Sequence, residues 1–158
     1  MKLKIYYCKS WFRLKKTAIE IMDEFTARQT HTAGEPYVAL IGSDTSPHCF
    51  VEILPDKEMI GVGFLDQHQR EYLTYQFHTK QNNQLFLSMA THREFEDDTS
   101  KIKNGTCYIF HEDGNVIIRK ETFDPHITEE TTARFEAKNN YENMPTFGDY
   151  SRLIVADR

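Results

Sequence analysis

The chain has 158 residues, of which 39% are hydrophobic, 27% charged and 13% aromatic, and its formal net charge is -5. This composition is typical of a globular domain that buries a core without disulfides or metals, and it excludes a disordered or fibrous protein. No apolar run approaches the ~18 residues of a membrane span. The acidic balance argues against a general electrostatic hold on nucleic acid. We therefore expect one domain over residues 1–158 that contacts neither a membrane nor nucleic acid directly.

The N-terminus and the cysteines predict a cytoplasmic protein. The first residues are basic, but no apolar segment and cleavage site of the kind found in signal peptides follow them. Cys8, Cys49 and Cys107 are odd in number, widely spaced and without a CxxC pair. This usage predicts three reduced thiols and neither disulfides nor a zinc site.

The first long element that the sequence predicts is an amphipathic helix from Ser10 to about Gln29, after a short strand or ordered lead-in at residues 2–7. Ser10 is suited to cap the first turn. Gly34 and Pro36 end the helix, since glycine permits a left-handed turn and proline cannot continue the helix. The apolar residues recur at helical spacing along one arc, namely Trp11, Leu14, Ala18, Met22 and Phe25.

After Pro36 the pattern changes to short apolar or alternating runs separated by turn residues, which predicts strands. The loops are only a few residues long and therefore permit hairpins but no parallel crossovers. The predicted fold class is α+β, with the N-terminal amphipathic helix packed on an antiparallel meander of about six to seven strands. A less regular tail follows from Asp124, in which Thr128–Lys138 would form either a helix or an irregular strand. The candidate strands are Tyr37–Ile41, His48–Leu54, Met59–Leu65, Glu71–His78, Gln84–Ala90, Thr106–His111 and Asn115–Phe123.

Motifs for phosphate loops, zinc proteases, serine hydrolases and dinucleotide binding are absent from the sequence. No cofactor or metal is expected, and the chain is not expected to be an enzyme. Two alternatives stay open. His78, His92 and His111 would form a small nuclease or hydrolase site if adjacent strands brought them together. The aromatic content together with a wrapping helix would also suit a sheet-and-helix domain that binds a small ligand.

The acidic side chains are concentrated in two places. Four carboxylates fall within five residues at Glu94, Glu96, Asp97 and Asp98, and a second pair, Glu112 and Asp113, lies at a predicted hairpin turn. Residues 1–28 hold seven basic and three acidic side chains, whereas residues 29–158 hold 12 basic and 21 acidic ones. Three interpretations of these carboxylates stay open. They could hold a divalent cation, lie in a solvated loop without a function, or form an acidic docking patch for a basic partner.

The segment Met59–Phe123, 65 of the 158 residues, resembles the small immunity proteins of bacterial polymorphic-toxin and contact-dependent growth-inhibition systems. The resemblance lies in a strand-and-turn pattern formed by Gly61–Asp66, Arg70–Tyr75, Gln84–Leu87, Arg93–Phe95 and Tyr108–Val116. It implies a cytoplasmic inhibitor without catalytic activity that binds a cognate toxin domain, in many cases a nuclease, and blocks its active site. Charge density alone selects Glu94, Glu96, Asp97 and Asp98 as the first candidates for toxin binding. Glu112 and Asp113 are the second candidates.

Overall fold

A computed structural model describes residues 3–158. Within this range the chain forms eleven strands and one α-helix. The elements are β1 Ile5–Phe12, β2 Thr17–Met22, α1 Glu24–Thr32, β3 Tyr37–Ile41, β4 Cys49–Leu54, β5 Met59–Leu65, β6 Glu71–Lys80, β7 Gln84–Phe95, β8 Ile102–Phe110, β9 Asn115–Thr122, β10 Ile127–Arg134 and β11 Tyr141–Asn143. Two short 3₁₀ turns lie at Pro55–Lys57 and Ala137–Asn140. No helix among the described residues is long and apolar enough to cross a membrane.

All eleven strands belong to one antiparallel sheet, in which ten follow the order β2-β1-β3-β4-β5-β6-β7-β8-β9-β10. From β3 to β10 each strand pairs with the next along the chain, so the antiparallel arrangement expected from the short loops is confirmed. On the side away from β6, β7 has two partners. Its residues Gln84–Phe86 pair with β11, whereas Met89–Phe95 pair with β8. The sheet therefore divides between β8 and β11.

The predicted helix from Ser10 to Gln29 is wrong. This segment forms the end of β1, a turn, β2 and the beginning of α1. Trp11 and Ala18 lie directly opposite each other in the β1–β2 hairpin. Because seven residues also make about two turns of a helix, the same spacing imitates one face of a helix. The helix begins instead after Asp23, whose Oδ1 accepts a hydrogen bond from the Thr26 amide at 2.7 Å. It has nine residues and lies between β2 and β3.

The predicted α+β class, with six to seven strands, is also wrong. The chain is mostly antiparallel sheet with a single short helix, because both ends of the chain add strands. The N-terminal hairpin contributes β1 and β2, and the tail expected to be irregular contributes β10 and β11. Every side chain of β10 is exposed. The sequence of β10 therefore lacks the apolar alternation by which the other strands were predicted.

The two faces of the sheet are buried unequally. The larger cluster of buried residues, which includes Phe77 and Leu87, defines what we call the core face. Helix α1 and the segment after β11 cover this face, since Ala27, Tyr150 and Leu153 belong to the same cluster. A smaller cluster on β1, β3, β4 and β5 occupies the opposite face and comprises Cys8, Trp11, Val38, Leu40, Phe50 and Leu65.

The three cysteines are unpaired, as the sequence predicts. Cys8 and Cys49 are buried, and Cys107 is half-buried. Burial raises the pKa of the Cys8 thiol to about 11 and that of the Cys49 thiol to about 12. Both thiols are therefore protonated at neutral pH and belong to the packing of the sheet.

Candidate functional site

The core face is covered over β1–β6 and the first half of β7, but it is open over the end of β7 and over β8–β10. Ala90 on β7, Tyr108 on β8, Ile118 on β9 and Thr131 on β10 lie directly opposite one another and share this face. Ala90 is buried, Tyr108 and Ile118 are half-buried, and Thr131 is exposed. Burial thus decreases step by step toward β10. We call this open region, from β7 to β10, the groove.

One wall of the groove is the polypeptide that follows β10. Phe135 packs on Phe110 with ring centroids 4.9 Å apart. The side-chain amide of Asn140 donates to the carbonyl oxygen of Leu87 at 2.9 Å, and Asn140 is itself buried. This contact closes part of the gap where β8 and β11 separate. A cavity of about 620 Å³ remains between this wall and the sheet.

Aromatic rings line the groove floor. Tyr108 and Phe110 stack with centroids 6.2 Å apart, and His92 meets Tyr108 edge-on at 6.4 Å. Tyr108, Phe110 and Phe135 are half-buried, whereas His92 is exposed. Rings that are held by a sheet yet remain partly open to solvent contribute large contact area at low conformational-entropy cost.

Arg158 brings a guanidinium group to the cavity from the C-terminal end of the chain. This group lies over the Phe77 ring and donates to Glu142 Oε1 at 2.9 Å. Burial alone would raise the pKa of Glu142, but hydrogen bonds from Arg152 and Arg158 hold that pKa below its ordinary value. Arg158 is therefore held in place by an ionised partner.

The first acidic group surrounds the β7–β8 turn, and Glu94 is the member that belongs to the groove. It lies on β7 two residues from His92, so that both side chains share the groove face. Its carboxylate accepts a hydrogen bond from Asn104 Nδ2 at 3.4 Å. Glu94 is exposed and therefore available to a partner.

The other three carboxylates of this group lie beyond β7 and have different surroundings. Glu96 lies 3.7 Å from Lys101 Nζ, and Asp98 lies 3.4 Å from His68. Asp97 has a left-handed backbone and is exposed. The turn itself is held by Arg70, which donates to the Asp97 carbonyl oxygen at 2.7 Å. Three of the four predicted carboxylates thus lie around a turn at the end of the groove, and none of these three lies on the groove floor.

The second acidic group lies at the other end of β8. Glu112 pairs with Lys80 at 2.6 Å. Asp113 accepts a hydrogen bond from the Asn115 amide at 2.9 Å, which holds the pKa of its carboxyl below the ordinary value. The length of β8 places the two groups about 30 Å apart. They do not form one continuous acidic patch.

The three histidines do not come together as one group, because His92 lies far from the other two. His92 lies opposite Thr106, whereas His78 lies opposite Phe86, six residues or about 20 Å away along β7. His111 follows β8 and lies five residues beyond Thr106. Nor is there, within residues 3–158, a group of three or more His, Cys, Asp or Glu side chains arranged to hold a metal ion.

The sequence did not reveal the groove as a site. Tyr108 and Phe110 carry the alternation of a half-buried strand, but nothing in their own segment indicates that the covering polypeptide stops short of them. Comparison with known proteins gives no match among protein-family models, curated proteins or solved structures.

Proposed function

We propose that this chain is a cytoplasmic immunity protein that binds a cognate bacterial toxin domain and blocks its active site. The observation that carries the proposal is the open groove, in which Tyr108 and Phe110 on β8 and Phe135 in the wall after β10 are all half-buried. Interfaces between proteins typically combine a few aromatic anchors with a polar rim. The groove has this composition, and residues 3–158 leave its floor partly open to solvent.

The charges around the groove favour a basic partner. Glu94, Glu129 and Glu136 are exposed at its margins and outnumber the exposed Lys120, which lies opposite Glu129. Arg158 at the cavity is already paired with Glu142, and residues 29–158 carry 21 acidic against 12 basic side chains. Nuclease active sites bind phosphate groups and are therefore basic. Carboxylates at the rim would accelerate encounter with such a surface and penalise partners of the wrong charge.

The aromatic rings and the carboxylates have separate roles in this proposal. Tyr108 and Phe110 supply most of the binding energy, while the first acidic group, Glu94, Glu96, Asp97 and Asp98, sets the rate of association. Glu112 and Asp113 remain the second group of candidates, about 30 Å along β8. Binding by itself inhibits the toxin, so the proposal gives no residue of this chain a catalytic role.

The proposal is tested by co-expression with the toxin domain encoded immediately upstream in the same operon. We expect the chain to restore cell survival and to form a 1:1 complex on a sizing column. Phe25→Ala is the matched control, because Phe25 is a 69% exposed ring on α1, outside the groove. It should rescue as well as the unmodified chain. Toxicity that persists in the presence of the folded chain would overturn the proposal.

A second candidate function, binding of a small ligand, is favoured by the cavity itself. Its volume of about 620 Å³ falls within the range of small-molecule sites. Arg158, whose charge is balanced by Glu142, would offer N–H donors beside the aromatic floor, which suits a planar compound that carries hydrogen-bond acceptors. Native mass spectrometry of the chain purified from its own cells discriminates the two functions. A stoichiometric bound compound, together with failure to rescue, would favour ligand binding.

A further inference from the structure

The strand β10 presents a free edge that lacks most of the usual protective devices. Its eight residues pair with β9 without a register shift, and no described strand pairs with its other side. Residues Ile127–Arg134 include no proline, glycine or lysine, and none of them has a positive φ. Native edges are commonly interrupted by such features, because a long regular edge is a template for another strand. At the other edge of the sheet, β2 is interrupted by Glu20, whose φ is 53°.

Backbone alternation identifies which groups of β10 are free. The Phe135 amide donates to the carbonyl oxygen of Gly114 on the β9 side at 3.0 Å. Since successive residues of a strand direct their backbone polar groups to opposite sides, the odd-numbered residues of β10 bond to β9. The even-numbered residues direct N–H and C=O away from the sheet, and these are Thr128, Glu130, Thr132 and Arg134.

We propose that a second copy of this chain pairs with this edge, antiparallel, about a twofold axis at Thr132. In this register Thr132 lies opposite Thr132 of the partner subunit. Glu130 lies opposite Arg134 of the partner subunit, and the same pair recurs on the other side of the axis. Three opposed pairs, each exchanging two backbone hydrogen bonds, give about six new bonds.

Charge complementarity selects this register among those that join outward-facing groups. An axis at Glu130 would place two carboxylates opposite each other, which is destabilising. An axis at Thr131 would place Glu130 opposite a threonine and leave no direct ion pair. The axis at Thr132 pairs each Glu130 with an arginine and so forms the ion pair twice.

The side chains that form these ion pairs are accessible in the single chain. Glu130 lies 3.1 Å from Arg119, and Arg134 Nη1 donates to Asn115 Oδ1 at 2.8 Å. All four of these residues are exposed. Exposed contacts of this kind contribute little to stability. Exchanging them for ion pairs with a second copy therefore costs little free energy.

The dimer keeps the groove free. Even-numbered residues of β10 project from the face opposite the groove, because Thr131 shares the groove face with Ile118. Pairing thus joins two sheets edge to edge and leaves both sets of groove rings accessible. The inference is independent of the proposed function, since it rests on the edge of β10 and not on the groove.

The test is the molar mass of the purified chain, measured by light scattering from low micromolar to submillimolar concentration. We expect a concentration-dependent dimer. Glu130→Arg and Arg134→Glu should each weaken it about tenfold or more, because each places like charges opposite each other twice. The double variant Glu130→Arg with Arg134→Glu restores both pairs and should restore the dimer. Glu129→Arg makes the same charge change on the groove face and should leave the dimer intact.

Thr132→Pro tests the backbone pairing directly. Proline removes an amide that faces away from β9, so the β9–β10 ladder keeps its hydrogen bonds while the edge loses a donor. We expect a folded monomer, with folding verified by circular dichroism. A chain that stays monomeric at all concentrations would overturn the inference, as would a dimer that the single charge variants do not weaken or a double variant that fails to restore it.

Discussion

The hydroxyl groups of Tyr37 and Tyr150 lie 2.8 Å apart, although 113 residues separate them in the chain. Tyr37 is fully buried on β3 and Tyr150, in the segment after β11, is 2% exposed. His31 Nδ1 on α1 lies 3.0 Å from the same Tyr37 hydroxyl. One buried hydroxyl thus connects the sheet, the helix and the C-terminal segment that covers the core face.

Tyr150→Phe should lower the free energy of unfolding by about 1–3 kcal/mol, because it leaves the buried Tyr37 hydroxyl without this partner. Urea unfolding monitored by circular dichroism measures the change. Tyr6→Phe is the control, since Tyr6 is half-buried and its hydroxyl has no hydrogen bond within residues 3–158. A loss of the same size in both variants would mean that the Tyr37–Tyr150 bond does not hold the segment.

The stability of the fold should decrease as the pH falls below about 6.5, the ordinary pKa of histidine. Burial, together with the nearby Arg28, lowers the pKa of His31 in the folded state. The unfolded chain therefore binds a proton first, and the stabilising contribution of neutral His31, complete above about pH 6.5, is lost as the pH approaches the lower folded value. His31→Gln keeps a hydrogen-bonding group but cannot titrate. Its unfolding free energy should vary less with pH between about 7.5 and 5, and an unchanged slope would contradict this account.

Asn140→Ala should cost about 1–3 kcal/mol, because the Leu87 carbonyl loses a buried donor at the point where the sheet divides. Asn139→Ala, which changes an exposed neighbour, should cost less than about 0.5 kcal/mol. Chemical denaturation of the two variants makes the comparison. Equal stabilities would show that the 3₁₀ turn at Ala137–Asn140 is not anchored through Asn140.

The second acidic group can be tested separately from the fold at Asp113. Asp113→Asn removes the charge but retains an oxygen that accepts the Asn115 amide, so the turn should still form. A small loss of stability is expected, because the second carboxylate oxygen, which accepts from Asn115 Nδ2, becomes an NH2 group. Gly114→Ala should destabilise the turn by about 1–3 kcal/mol. The φ of Gly114 is 92°, and an added Cβ would meet the Arg134 guanidinium at 2.8 Å. Thermal melts measure both effects, and an Asp113→Asn variant as destabilised as Gly114→Ala would contradict the assigned role of its oxygen.

Toxin association should depend on the carboxylates at the groove. Glu94→Gln should slow association with the toxin domain and reduce the salt dependence of its rate, because rim charges act mainly on encounter. Asp113→Asn, the matched loss of one negative charge about 30 Å away, should have a smaller effect. Surface plasmon resonance at two ionic strengths gives both rates. If the Asp113→Asn variant associates with the toxin domain more slowly than the Glu94→Gln variant, the second acidic group forms the interface.

The sequence predicts a strand well where an apolar run is bounded by turn residues. Tyr37–Ile41 and Met59–Leu65 form strands with the predicted bounds. The N-terminal hairpin was mistaken for a helix because Trp11 and Ala18 satisfy helical spacing and cross-strand pairing equally. The exposed strand β10 has polar residues on both faces and hence no periodic signal.

The groove depends on a long-range event that local patterns do not encode. The strand β11 pairs with the first residues of β7, and the segment that follows it covers the core face beside Tyr37 and leaves Tyr108 and Phe110 open. The sequence likewise shows where acidic residues are concentrated but not how far apart the two acidic groups lie in the folded chain. Asp98 and Glu112 belong to acidic groups that β8 holds at its two ends.

The central claim, that the groove binds the toxin, is tested most directly by titration calorimetry of the toxin domain with two forms of this chain. We predict a 1:1 complex with the unmodified chain and an affinity about 100-fold or more lower for Tyr108→Ala with Phe110→Ala, since aromatic anchors dominate interface energies. Circular dichroism establishes that the double variant is folded. Equal affinity for the two forms would contradict the claim and place the toxin on another surface.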